Sequence, residues 1–328
     1  MAGNFLEVKN LSTYFYARRG IVKAVDGVSF NLKKGETFGL VGESGCGKTI
    51  TCLSIMRLVP EPVGRIVGGE ILLEGEDLCK KNEKEMREIR GAKISMILQD
   101  PMTSLNPVFT IGDQLTEAIR IHQHLSGKSL WDRARHMLQL VHIPSPEVCL
   151  KNWPHQLSGG MRQRVVGAIS ISCEPRLLIA DEPTTSLDAT IQLQYLRLLR
   201  ELREKTDLTL IFITHDFGII ARMCHRAAVM YAGKIVETAE VTELFDHPAH
   251  PYTQALMKSM PKVEERVERL ASIEGQPPPL HHLPPGCIFA PRCSANQGEC
   301  RPEAYPPTTE IRDGHTVSCW QYASRSNS

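Results

Sequence analysis

Gly42-Glu43-Ser44-Gly45-Cys46-Gly47-Lys48-Thr49 decides how this chain is read. The segment fits the pattern G-x-x-x-x-G-K-[ST]. The apolar run Thr37-Phe38-Gly39-Leu40-Val41 leads into it, and a helix is predicted from Gly47 to about Leu58. Strand, glycine-rich turn and helix in that order are the context the pattern requires. Glycines reach positive φ without a Cβ penalty, so successive backbone N–H groups can turn inward around an anion. The helix start adds roughly half a positive charge at the same point. Lys48 has the reach for β- and γ-phosphates, and the Thr49 hydroxyl suits Mg²⁺. Cys46 contributes a small side chain and its N–H. Ile50 supplies an N–H for the α-phosphate but no hydroxyl. The loop therefore points to ATP.

A second segment completes the chemistry. Leu177-Leu178-Ile179-Ala180 is a continuous apolar run, as in a strand buried on both faces of a sheet. It ends in Asp181-Glu182. Adjacent carboxylates at the end of a buried strand cost several kcal/mol unless compensated. Mg²⁺ beside Asp181 compensates the first. Glu182 then lies beside the γ-phosphate, placed to polarise the attacking water.

The rest of the chain fits an α/β protein. Of 328 residues, 42% are apolar and 23% charged, with a formal net charge of +1. That balance provides no global field for gripping nucleic acid. No apolar run approaches the ~20 residues of a membrane span. The start, Met1-Ala2-Gly3-Asn4-Phe5-Leu6-Glu7, lacks a signal peptide's basic and apolar regions, so a cytoplasmic chain is expected. Val28, Phe30 and Leu32 alternate with polar residues in a β-rich first third. Ile71-Leu72-Leu73 and Ile94 to Leu98 read as further strands. Residues 101–175 read as mostly helical; Met137, Leu138 and Val141 share one face. A helix over about 191–203 and a strand over 208–213 follow. Ala232-Gly233, between Ala228–Tyr231 and Lys234–Glu237, signals a hairpin. Proline-rich segments at 276–279 and 284–286 mark irregular structure, and a domain boundary is placed near 261.

Four of the ten cysteines cluster late, as Cys287-x5-Cys293-x6-Cys300-x18-Cys319. Cytosolic chains rarely keep disulfides, and a short loop-rich tail gains from a staple. Zinc suits four thiolates, but zinc sites usually contain close C-x₂₋₄-C pairs. A [4Fe–4S] cluster also takes four thiolates and accepts the wider spacing more readily.

Further motifs resemble those of ATP-binding-cassette (ABC) proteins. Leu157-Ser158-Gly159-Gly160-Met161 is similar to the family's signature motif, with Met where Gln is usual. Gln99 before Asp100-Pro101 matches its Q-loop and Ser186-Leu187-Asp188 its D-loop. His215, after Leu210-Ile211-Phe212-Ile213-Thr214, matches its switch histidine. The resemblance implies a P-loop NTPase nucleotide-binding domain over 1–260: a RecA-like core, an antiparallel β subdomain and a helical subdomain at about 101–175. It implies Glu182 and His215 as catalytic residues and Thr49, Gln99 and Asp181 at Mg²⁺. It also implies a head-to-tail dimer, in which Ser158 and Gly160 of one subunit close on the γ-phosphate held by the other. An aromatic stacks on adenine; Tyr14, Phe15 and Tyr16 compete, and Phe15 is favoured by its offset from the next strand.

His250-Pro251-Tyr252-Thr253-Gln254-Ala255-Leu256 and Gly286-Cys287-Ile288-Phe289-Ala290-Pro291-Arg292-Cys293 narrow the resemblance to oligopeptide/dipeptide importer ATPases. So do Ile97 to Pro107 and Trp153-Pro154-His155-Gln156. This implies a small irregular C-terminal extension over 261–328 with a [4Fe–4S] cluster on its four cysteines, zinc being the alternative. The implied partners are a related, non-identical ATPase, two transmembrane permease subunits and, indirectly, an external peptide-binding protein, but no nucleic acid. The chain would then sit on the cytoplasmic side of the cell membrane. The alternatives are an importer ATPase for another substrate and a soluble ABC ATPase acting on ribosomes or DNA.

Overall fold

The structure, a computed structural model, describes residues 3–18, 20–99, 104–185, 187–260, 273–296, 300 and 303–323. The expected boundary at 261, Ser186 of the D-loop segment and residues 100–103 of the Q-loop segment lie outside them. In chain order the first elements are β1 (Leu6–Ala17), β2 (Gly20–Leu32), β3 (Thr37–Val41), α1 (Lys48–Ile55), β4 (Gly64–Leu73), β5 (Glu76–Asp77), α2 (Glu83–Ile89) and β6 (Ile94–Ile97). Helices α3 (Ile111–Gln123), α4 (Gly127–Leu140), α5 (Pro146–Lys151) and α6 (Gly159–Ile171) follow. Then come β7 (Leu177–Asp181), α7 (Ala189–Thr206), β8 (Thr209–Thr214), α8 (Phe217–Met223), β9 (Arg226–Tyr231) and β10 (Lys234–Glu240). The chain continues through α9 (Val241–Asp246), α10 (Pro251–Lys258), β11 (Thr308–Arg312), β12 (His315–Ser318) and α11 (Trp320–Ala323).

Two compact units divide the chain. The first holds residues 32–37 and 80–213. In it β6, β7 and β8 pair in parallel, Ile94 opposite Leu177 and Leu177 opposite Thr209. Every residue of β7 and β8 is buried, which explains the apolar runs Leu177 to Ala180 and Leu210 to Ile213 within them. Between β6 and β7 the chain is helical, as its pattern implied. Thr110 and Asp113 form a reciprocal capping box that starts α3. Leu115, Ile119, Ala134, Met137 and Leu138 bury the facing sides of α3 and α4. The Asp188 carboxylate caps α7 by accepting from the Thr190 and Ile191 N–H groups.

The second unit holds residues 4–31, 38–79 and 214–328. Its antiparallel sheet has the order β2-β1-β4-β5, with Leu6 opposite Leu73 and Phe15 opposite Gly64. Elsewhere in the unit β3 pairs in parallel with β9, and β9 turns back into β10. Ala232 and Gly233 take φ of 44° and 85°, the left-handed pair of a tight hairpin turn.

The extension is not simply irregular. Its β11 and β12 form a hairpin across Asp313-Gly314, and β12 pairs with β10, Glu237 opposite Val317. Gly314 takes φ 67°. The buried Glu237 carboxylate accepts from the Ala249 and His250 N–H groups and pairs with His315 Nε2 at 2.8 Å. Three partners fix a charge that unpaired would cost about 3–5 kcal/mol. Ile288 and Phe289 of the extension enter one core cluster with Val41, Ile220, Tyr231 and Tyr252.

Candidate active site

In the second unit the phosphate loop joins β3 to α1. Gly42, Gly45 and Gly47 all take positive φ, 154°, 76° and 109°. At Gly42 a Cβ would lie 2.2 Å from the Met230 carbonyl oxygen, and at Gly47 2.3 Å from that of Ala24. Backbone at that distance cannot give way, so no side chain fits either position. Gly47 is the N-cap of α1. The α1 dipole is thus aimed at the loop. Lys48 is buried, and its ammonium donates to the Gly42 carbonyl at 2.7 Å and the Glu43 carbonyl at 3.0 Å. Cys46 is buried with its thiol pushed up, first by burial. It is a packing residue whose N–H and carbonyl serve the loop, bonding Glu43 O and Gly233 N–H. Ser44 is exposed, and Thr49 and Ile50 are half-buried at the helix start.

Of the three aromatics, Tyr14 donates to Asp26 Oδ1 at 2.6 Å, with Lys23 Nζ over its ring. Arg65 lies over Tyr16. Phe15 is half-buried, its Cε1 2.7 Å from where a Gly64 Cβ would be. His215 follows β8, exposed, beside Asp216, which caps α8 by accepting from Gly218 N–H.

The first unit carries the acids. Asp181, 1% exposed, ends β7. Glu182 takes φ 44°, a left-handed conformation that costs an L-residue about 1–2 kcal/mol. Its N–H donates to the Ile213 carbonyl, which holds the turn. Gln99 Nε2 donates to Glu182 Oε2 at 3.2 Å, and Thr185 Oγ1 donates to the same oxygen at 3.0 Å. Strain of this kind persists where surrounding structure imposes it, and it clusters at active sites. Ser158 caps α6, its hydroxyl accepting from Met161 N–H at 3.3 Å. Ser158 and Gly159 are exposed and Gly160 half-buried.

Sequence reading missed Gln163. It is fully buried in α6, and its Nε2 donates to the Pro183 carbonyl at 2.6 Å. The signature helix is thereby tied to the residue after Glu182. The sole sequence signal was a polar residue among Val165, Val166 and Ala168.

The late cysteines are free thiols. Burial foremost raises Cys287, and Cys300 and Cys293 raise it further. Cys319 is pushed up to about 11, first by burial and then by Cys287, Cys293 and Cys300. The four sulfurs are therefore electrostatic neighbours. Among the described residues, however, no three or more His, Cys, Asp or Glu side chains are arranged to hold a metal ion. The expected metal geometry is thus not formed, and residues 297–299, 301 and 302, which flank Cys300, lie outside the described set.

A phosphate loop after a core strand, a strained acidic turn ending a buried parallel strand and a helix capped by a signature serine define an ATP-binding cassette. Family models agree: ABC transporter over residues 25–185, and oligopeptide/dipeptide transporter C-terminal region over 236–300. The dipeptide transport ATP-binding protein DppD of Bacillus subtilis is 51% identical over 315 residues, 96% of this chain and 94% of the relative. The protein of the same name from Escherichia coli is 46% identical over 314 residues, 96% of this chain and 95% of the relative. Among solved structures, the dimeric ATP-binding cassette MJ0796 bound to ADP and Pi matches with a TM-score of 0.65 and 26% identity. That match covers 72% of this chain and 98% of the cassette. The chain belongs to the ABC transporter family and carries the C-terminal region of its oligopeptide/dipeptide branch. It is an ATPase subunit. No helix among the described residues is long and apolar enough to cross a membrane.

Proposed function

We propose that this chain is the motor subunit of a peptide importer, hydrolysing ATP at sites completed by a second ATPase subunit. The observation that carries hydrolysis is Glu182, held in a left-handed turn with its carboxylate fixed by Gln99 and Thr185. The loop 42–49 grips the phosphates with N–H groups, the α1 dipole and Lys48. Thr49, Gln99 and Asp181 are the residues that would hold Mg²⁺. A buried carboxylate, a hydroxyl and an amide oxygen are the hard oxygen donors that ion takes. When bound, the ion neutralises charge on the β- and γ-phosphates. Glu182 orients the water and accepts its proton, and His215 holds the γ-phosphate. Phe15 stacks on adenine.

Ser158 and Gly160 serve the nucleotide of the other subunit. A related, non-identical ATPase is the proposed partner, with two permeases anchoring the pair on the cytoplasmic face of the membrane. Peptide as cargo is supported by the 236–300 match and by the names of the relatives. Co-expression with the genomic neighbours is expected to recover the chain in a membrane complex whose ATPase rises with a loaded binding protein. Recovery with ribosomes or DNA, and never with a membrane complex, refutes the assignment.

The four cysteines are proposed to hold a [4Fe–4S] cluster with a structural role. Four free thiols, Cys319 buried and Cys287, Cys293 and Cys300 half-buried, are the donor set such a cluster takes, and ligation would remove the protons that burial retains on Cys287 and Cys319. The fourth ligand, Cys319, lies beyond the matched region 236–300. Anaerobically purified protein is expected to be brown, with iron and sulfide each near four per chain. Colourless protein with one zinc per chain would overturn the cluster in favour of zinc.

A further inference from the structure

Glu43 places a carboxylate inside a loop whose task is to bind a polyanion. Unneutralised, it would oppose the triphosphate at close range. The structure answers this from far along the chain. Arg292 Nη1 donates to Glu43 Oε2 at 2.8 Å and Nη2 to Oε1 at 3.1 Å, a two-pronged pair. The Arg292 side chain is 4% exposed and that of Glu43 27%. The guanidinium is itself pinned. Its Nε donates to the Glu274 carbonyl at 3.1 Å, and Nη1 also donates to the Tyr231 hydroxyl at 3.3 Å. Beneath it Tyr231, Tyr252 and Phe289 interlock, with centroids 4.6–5.3 Å apart.

The same region holds Glu43 a second time. The Tyr252 hydroxyl accepts from Glu43 N–H at 3.0 Å. The Glu43 carbonyl in turn accepts from Lys48 Nζ at 3.0 Å. Residues of the C-terminal region thus fix the carboxylate and the N–H of the loop residue whose carbonyl meets the phosphate lysine.

We propose that Arg292 is a positioning residue of the ATP site: it neutralises Glu43 within the phosphate loop and holds that loop for the triphosphate. The C-terminal extension is thereby part of the nucleotide-binding machinery as well as a domain appended to it. The proposal rests on the reading of Gly42–Thr49 as the ATP loop.

The test is titration of the full-length chain with a fluorescent ATP analogue, with melting temperature measured beside it. Arg292→Gln is expected to weaken binding about tenfold, the worth of a charged hydrogen-bond pair. Arg292→Lys keeps the charge and is expected to stay within about threefold of the parent. Glu43→Gln removes the anion but leaves the buried Arg292 guanidinium unpaired, so it is expected to lower the melting temperature while binding no more weakly than Arg292→Gln. The pattern that separates neutralisation from packing is rescue: in the Glu43→Gln/Arg292→Gln double variant, binding returns to within about threefold of the parent. Parental binding by Arg292→Gln overturns the proposal. So does a double variant as weak as Arg292→Gln alone. Lys48→Ala is run alongside. If it binds ATP normally, the reading of the loop has failed, and with it the basis of the proposal. If it loses binding while Arg292→Gln does not, the role of Arg292 alone is refuted.

Discussion

Glu182→Gln is expected to bind ATP as the parent does and to hydrolyse it about a thousandfold more slowly, the loss of a general base. The amide keeps the shape of the carboxylate. It retains one oxygen to accept from Gln99 Nε2 and Thr185 Oγ1, so the turn at φ 44° is undisturbed. What disappears is the negative charge and the lone pair that take the water's proton. Phosphate release and nucleotide affinity, measured on the same preparation, separate the two effects. Unchanged turnover removes Glu182 from its role. Glu182→Gly sharpens the point, because glycine is at ease at positive φ. That variant is expected to stay within about 1 kcal/mol of the parent's stability, relief at positive φ offsetting the lost Gln99 and Thr185 hydrogen bonds, and still to be inactive.

Gly159→Asp is expected to split stability from activity in the opposite sense. A Cβ at Gly159 meets nothing within 4 Å, so the chain itself accommodates the change. The position is the first of α6, whose first turn has no acidic residue. A carboxylate there gains about 0.3–1 kcal/mol from the helix dipole, so the melting temperature should hold or rise. Affinity for ATP in the isolated chain should also hold, since that chain's own loop does the gripping. Turnover with the partner ATPase should fall about a hundredfold. The new anion would face the γ-phosphate held by the other subunit, and like charges set together across an interface cost several kcal/mol. Full turnover in this variant would show that the segment 158–160 does not complete a site in trans.

The two variants draw on segments of very different legibility. Gly42 to Thr49 was readable because its chemistry is backbone chemistry: three glycines, a helix start and a lysine within eight residues determine the loop. The buried strand ending in Asp181-Glu182 was readable for a similar reason. Its apolar run demands two covered faces, and charges there demand a partner. The signature serine and its helix cap are also local. By contrast, the strained φ of Glu182 had no sequence signal, since nothing in the residue type predicts a left-handed glutamate. The tie from Gln163 to Pro183 spans the space between a helix and a turn. The Asp313-Gly314 hairpin carried a usable turn signal, but proline-rich flanks drew the reading toward irregular structure.

Pairing between distant residues is where tertiary structure alone decided. Sequence pointed to a nucleotide-binding loop at Gly42 to Thr49, to the residues proposed to cradle the phosphates and to Glu182 as the proposed base, because each reading depends on neighbours a few positions away. It could not determine that Arg292, 249 residues after Glu43, neutralises a charge inside the phosphate loop. Nor could it determine that Tyr252 holds that residue's N–H, or that the extension's hairpin pairs with β10. Such partners meet only once folding has brought distant segments of the chain together. Which arginine reaches which glutamate is then fixed by packing and not by spacing along the chain.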